Sequence, residues 1–146
     1  MTPAIRAEIV AAARGWIGTP YRHQASVRGA GADCLGVVRG VWRELLGAEC
    51  EIAPPYSYDW GETGRRELLY EAACRNLREV VLPGRSGDVV LFRMREKGVA
   101  KHLGILTDDG ARFVHGFTGH GVVENTLSDP WRRRIVAACE FPIERI

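Results

Sequence analysis

Apolar residues recur at helical spacing through the first half of the chain and gather into short runs rich in Val, Ile and Phe in the second. Thr2-Pro3 is a helix start, with a hydroxyl able to cap and a proline whose missing N–H costs nothing in the first turn. Ile5, Ile9, Ala13 and Trp16-Ile17 then follow on one face until Gly18-Thr19-Pro20. A glycine-bearing loop over 21–32 leads to a second helix, about 34–46. Its stripe of Val37, Val38, Val41, Trp42 and Leu45 marks it as the buried one, and Gly47 stops it. The stretch 51–64, with Pro54-Pro55 and three aromatic residues, reads as an ordered loop. Leu68, Leu69, Ala72, Ala73 and Leu77 predict a third helix. Past Pro83-Gly84 the pattern changes to strands at 88–93, 102–107, 112–117, 121–125 and 134–141, separated by turn residues, as in an antiparallel sheet. Helices first and strands afterward predict an α+β fold with the helices on one side of the sheet.

Composition narrows the class. The 146 residues suit one domain over 1–146, with a core that needs no staples. There is no apolar run near the roughly 20 residues that cross a bilayer, so no membrane association is expected. A net charge of +2 does not call for nucleic acid, and Arg132-Arg133-Arg134 and Arg65-Arg66 read as solvated faces. Cys34, Cys50, Cys74 and Cys139 are scattered without a CxxC pair and are read as reduced thiols, the last three as buried hydrophobes. Residues 1–6 lack the basic start and apolar run of a secretory leader, so the expectation is synthesis in the cytoplasm without a signal peptide.

One cysteine stands apart. In Gly31-Ala32-Asp33-Cys34-Leu35-Gly36, Asp33 suits the cap position and Cys34 the first turn of the buried helix. Unpaired N–H groups there favour thiolate and can hold an oxyanion, although a cysteine beside a glycine loop is more often a small core residue. His102 opens the strand His102-Leu103-Gly104-Ile105-Leu106, otherwise apolar or glycine on both faces, as a polar intruder in a central strand. A cysteine at a helix start and a histidine at a strand start can meet as nucleophile and base. A lone structural histidine is the blander alternative.

His115 depends on register. If Asp109-Gly110 forms a two-residue hairpin loop, paired numbers sum to 219 and His115 faces Gly104, diagonal to His102 on one sheet face with Gly104 leaving room between. A three-residue loop shifts the sum to 218 and puts the two histidines on opposite faces. His23 and His120 fall in loops, as substrate contacts or as bystanders. A metal site from Cys34, His102 and His115 is a rival reading, but no ligand pair has the short spacing typical of zinc sites, and none is assigned.

Thr19-Pro20-Tyr21, Asp33-Cys34, Gly87-Asp88-Val89-Val90-Leu91-Phe92 and His102-Leu103-Gly104-Ile105, in this order and spacing, resemble the NlpC/P60 cysteine peptidases, a papain-like family, over nearly the whole chain. The resemblance implies N-terminal helices on a five- to six-stranded antiparallel sheet, with Cys34 as nucleophile, His102 as general base and His115 as the third polar residue. It implies that Tyr21 lines the active site, and Tyr21, Asp33 and Leu35 are assigned to the substrate. It also implies hydrolysis in peptidoglycan stem peptides, at the γ-D-glutamyl to diaminopimelate bond or a related amide, with no cofactor. Leu35 departs from the serine that commonly follows the cysteine. Cys34-Leu35-Gly36 and Trp131-Arg132-Arg133-Arg134-Ile135 look like the small peptidases encoded among phage tail and gene transfer agent genes, which implies a particle with tail proteins as partners, acting at the cell wall. Two rivals remain: an amidase or acyltransferase on a non-wall substrate, and a structural tail protein with a vestigial site, binding partners through 51–64.

Overall fold

The chain begins with the expected cap: Thr2 Oγ1 accepts the Ile5 N–H at 3.2 Å and opens α1, Pro3–Arg14. This computed structural model describes residues 1–49, 51 and 66–143. Ile5, Ile9, Ala12 and Ala13 are buried, and Trp16, just past the helix, packs on Gly40 of α2, Cys34–Leu46. That contact requires glycine, since a Cβ on Gly40 would stand 1.8 Å from the indole ring. The loop expected over 21–32 contains a small hairpin, β1 (Ser26–Val27) and β2 (Gly31–Ala32), too short to leave a periodic signal. α3, Leu68–Asn76, buries Leu69 and Ala73. The loop expected at 51–64 lies, apart from Glu51, outside the described residues, as does Cys50.

The strands form one six-stranded antiparallel sheet in the order β3-β8-β4-β5-β6-β7. They are β3 (Arg78–Val80), β4 (Val89–Arg93), β5 (Ala100–Thr107), β6 (Arg112–Phe117), β7 (Gly121–Thr126) and β8 (Ile135–Glu140). β3 was not foreseen, because three residues are too few for periodicity to show. β5 is central and buried almost throughout, as its apolar run predicts. Leu103, Ile105, Val114 and Val122 join α1, α2 and α3 in the larger core. The opposite face holds a smaller cluster of Val90, Phe92, Leu106, Phe113, Leu127 and Ala138, against which Trp131 packs from a one-turn helix, α4 (Asp129–Arg132). The three longer helices thus share one side and α4 takes the other.

Candidate active site

The hairpin between β5 and β6 sets the geometry. Asp109 (φ 53, ψ 34) and Gly110 (φ 90) are the central residues of a type I′ turn closed by the Ala111 N–H to the Asp108 carbonyl at 3.0 Å. The register is Ile105↔Val114, Leu106↔Phe113 and Thr107↔Arg112, so paired numbers sum to 219 and His102 and His115 share a face. They meet directly, His102 Nε2 to His115 Nδ1 at 2.7 Å. Gly104 does not leave an open space between them: a Cβ there would stand 2.7 Å from the Phe113 ring, which occupies that room and lies with its centroid 4.3 Å from that of His115.

The β5–β6 ladder covers only those three pairs, and before Ile105 the first turn of α2 comes against the sheet. A Cβ on Gly116 would stand 2.8 Å from the Asp33 carbonyl and 3.1 Å from the Cys34 nitrogen. The Leu106 N–H bonds to the Asp88 carbonyl on the β4 side, so alternation turns the Leu103 N–H toward β6. That N–H and those of Leu35 and of Cys34 itself favour the thiolate form of Cys34. A one-residue bulge, marked by the pairs Phe92↔His102 and Arg93↔Ala100, interrupts β5 just before His102.

Asp33 caps α2, accepting the Gly36 N–H at 2.7 Å on one oxygen and the Gln24 N–H at 2.7 Å on the other. Buried at 2% exposure, it holds the loop to the helix from beneath, with His23 Nδ1 4.0 Å away. Tyr21, half-buried, bridges in parallel to Ala32, two residues before the cysteine. Leu35 is half-buried and lines an apolar groove of about 300 Å³ with Val38, Trp42, Leu68, Leu69 and Leu103; the lining includes both neighbours of the sulfur but not Cys34. His120 is exposed and stacks on Phe117. Cys139 is buried, whereas Cys74, expected as a buried hydrophobe, is exposed because it faces away from the core side of α3.

Two neighbours of the histidines escaped the sequence reading. His115 Nε2 lies 2.7 Å from Asn125 Oδ1, an asparagine on β7 whose role no local pattern signals. Trp131 covers the pair, its ring 5.7 Å from His102 and 5.3 Å from His115, with Phe92, Phe113 and Phe117 also against it. Its signal was available in Ser128-Asp129-Pro130, a helix start in front of an aromatic residue.

This wall controls charge. Burial pushes the Cys34 thiol up to about 12, and the Asp33 carboxylate acts in the same direction, outweighing the three N–H groups. Burial pushes His102 down to about 3, with His115 adding to the effect, and pushes His115 down to about 4 against the bond it makes to the Asn125 amide oxygen. The helix start favours a thiolate; burial and the Asp33 carboxylate oppose it, and burial holds both imidazoles toward the neutral form.

Two buried neutral histidines also make stability depend on pH. Their folded values lie below the ordinary 6.5, so the unfolded chain binds protons that the folded chain does not; stability is full above pH 6.5 and falls as pH drops toward 3–4. By pH 5 each imidazole costs about 2 kcal/mol. Glu49 and Glu124, held low despite their burial by Arg39 and Arg14 respectively, act in the same sense only below about their ordinary 4.5. Urea unfolding at pH 7.5 and pH 5 is expected to show the loss, and the variant with both His102 and His115 changed to Gln should lack most of it. Equal slopes in the two proteins would refute the assignment.

Among the described residues no group of three His, Cys, Asp or Glu side chains is placed to hold a metal ion. The NlpC/P60 family matches residues 18–140 of the chain. The murein DD-endopeptidase MepS/murein LD-carboxypeptidase of Escherichia coli (strain K12) is 33% identical over 120 residues, 82% of this chain and 54% of the relative. The gamma-DL-glutamyl hydrolase of Bacillus subtilis (strain 168) is 28% identical over 134 residues, 91% of this chain and 29% of the relative. The chain thus spans about half the length of the first and under a third of the second. In fold it is similar to the crystal structure of an NlpC/P60 family protein from Bacillus cereus ATCC 10987, with a TM-score of 0.66 at 19% identity over 97% of this chain and 41% of that one.

Proposed function

Because this chain belongs to the NlpC/P60 family, we propose that it is a cysteine endopeptidase hydrolysing amide bonds in peptidoglycan stem peptides, with Cys34 as nucleophile and His102 as base. What supports this is the approach of the first turn of α2, at Asp33 and Cys34, to Gly116 of β6, next to a His115 that already engages Nε2 of His102. Nδ1 is then the nitrogen that serves the sulfur. With substrate in place, His102 Nδ1 takes the thiol proton as sulfur attacks the carbonyl carbon. The Gly36 N–H is spent on Asp33, so the N–H groups of Cys34 and Leu35, which favour the thiolate at rest, turn to the oxyanion as the sulfur bonds to carbon. The imidazolium returns its proton to the leaving amine, and water, deprotonated by His102, hydrolyses the thioester. Charge separates during attack, in keeping with imidazoles that burial holds toward the neutral form.

The bond is read as γ-D-glutamyl to diaminopimelate. Support comes from the sequence blocks and from the name of the Bacillus subtilis relative, while the name of the Escherichia coli relative points to a DD bond. Digestion of diaminopimelate-type peptidoglycan separates these by product mass: cleavage after γ-D-glutamate shortens the stems, and a DD cut converts crosslinked dimers to monomers with full stems. Walls left intact by the purified protein would sink the peptidase reading and favour a non-wall amide. The protein is further read as one domain acting at the cell wall from a phage-like particle. Support for that is the likeness of Cys34-Leu35-Gly36 and Trp131–Ile135 to peptidases encoded among tail and gene transfer agent genes.

A further inference from the structure

The two histidines and Asn125 form a linear chain, Asn125 Oδ1 to His115 Nε2 at 2.7 Å and His115 Nδ1 to His102 Nε2 at 2.7 Å. His115 pairs with Val123 across β6 and β7, so Asn125, two residues on, presents its side chain on the same face. The amide oxygen only accepts, so His115 Nε2 must carry hydrogen. A neutral imidazole has one N–H, which leaves His115 Nδ1 bare to accept from His102 Nε2. His102 then has its single lone pair on Nδ1, the nitrogen that serves the thiol. Were an amide nitrogen to face His115 instead, every proton in the chain would reverse, and His102 Nδ1 would bear a hydrogen and be useless as a base. His115 is fully buried and ringed by Phe113, Phe117 and Trp131, so no bulk water competes for these bonds.

We propose that Asn125 is a positioning residue that fixes the tautomers of His115 and, through it, of His102, so that the base presents its lone pair to Cys34. This rests on the assignment of Cys34 and His102 above. It also accounts for an amide in place of a carboxylate. Aspartate would draw His115 toward imidazolium, whose Nδ1–H would donate to His102 Nε2 and force the His102 proton onto Nδ1. The test is nitrogen NMR of the full chain labelled in its histidines, without substrate. Both His102 and His115 are expected to carry hydrogen on Nε2 in the native protein. Asn125→Leu, close in shape but without an acceptor, should lose the single His115 tautomer and lower kcat about 10²-fold or more with KM little changed. Asn125→Asp should restore an acceptor yet not the rate. Hydrogen on His115 Nδ1 in the native protein, or native tautomers and kcat in Asn125→Leu, would overturn the proposal. Absent wall digestion by a native protein with the expected tautomers would instead count against the peptidase reading alone.

Discussion

Cys34→Ala is expected to give a folded protein that releases no stem-peptide fragments, with turnover down by about 10⁶-fold, since loss of a nucleophile removes covalent catalysis as a whole. The expectation separates chemistry from folding. Cys34 is half-buried and contributes a small sulfur at the edge of the larger core, and alanine keeps both the helix start and the Asp33 cap. Removing the thiol also removes a small group from the edge of the core, so a stability change of about 1 kcal/mol in either direction is compatible with the assignment. Muropeptide release read by mass spectrometry, alongside thermal unfolding, decides it. Digestion by this variant at the native rate would place the reactive group elsewhere.

Gly116→Ala is expected to impair the same chemistry from outside the reacting groups. The added methyl would meet backbone, not a flexible side chain, at 2.8 Å from Asp33 and 3.1 Å from the Cys34 nitrogen, so the first turn of α2 must lift from β6. Cys34 then shifts relative to β6 and to the histidines on the sheet. A displacement on the order of 1 Å at reacting atoms costs roughly 10²-fold in kcat/KM, and overpacking at backbone costs about 1–3 kcal/mol. The far-ultraviolet circular dichroism spectrum should remain native. Native turnover in this variant would mean that α2 and β6 do not set the distance between thiol and imidazole.

The parts of the site that a local pattern can specify were legible in the sequence. Asp33 before Cys34 wrote the helix cap, and Asp109-Gly110 wrote the turn that puts His102 and His115 on one face. What was hidden came from contacts between distant segments. Nothing around Asn125 announces that it meets His115, and the bulge before His102 arises from a mismatch between β4 and β5. What opposes the Cys34 thiolate was hidden for the same reason: the helix terminus is visible in sequence, while the burial that works against it comes from the packed fold, with the Asp33 charge adding to it. Short elements, β1, β2, β3 and α4, are set by pairing or packing partners and leave too few residues to repeat a pattern.

The thiol comes from the helical portion of the chain, whereas both imidazoles and Asn125 come from strands far downstream. During synthesis the sulfur therefore emerges well ahead of both imidazoles and of Asn125. Under the proposed roles, a nascent or partly folded chain whose late strands have not closed on α2 has a thiol but no base, so hydrolysis arrives only with the finished fold.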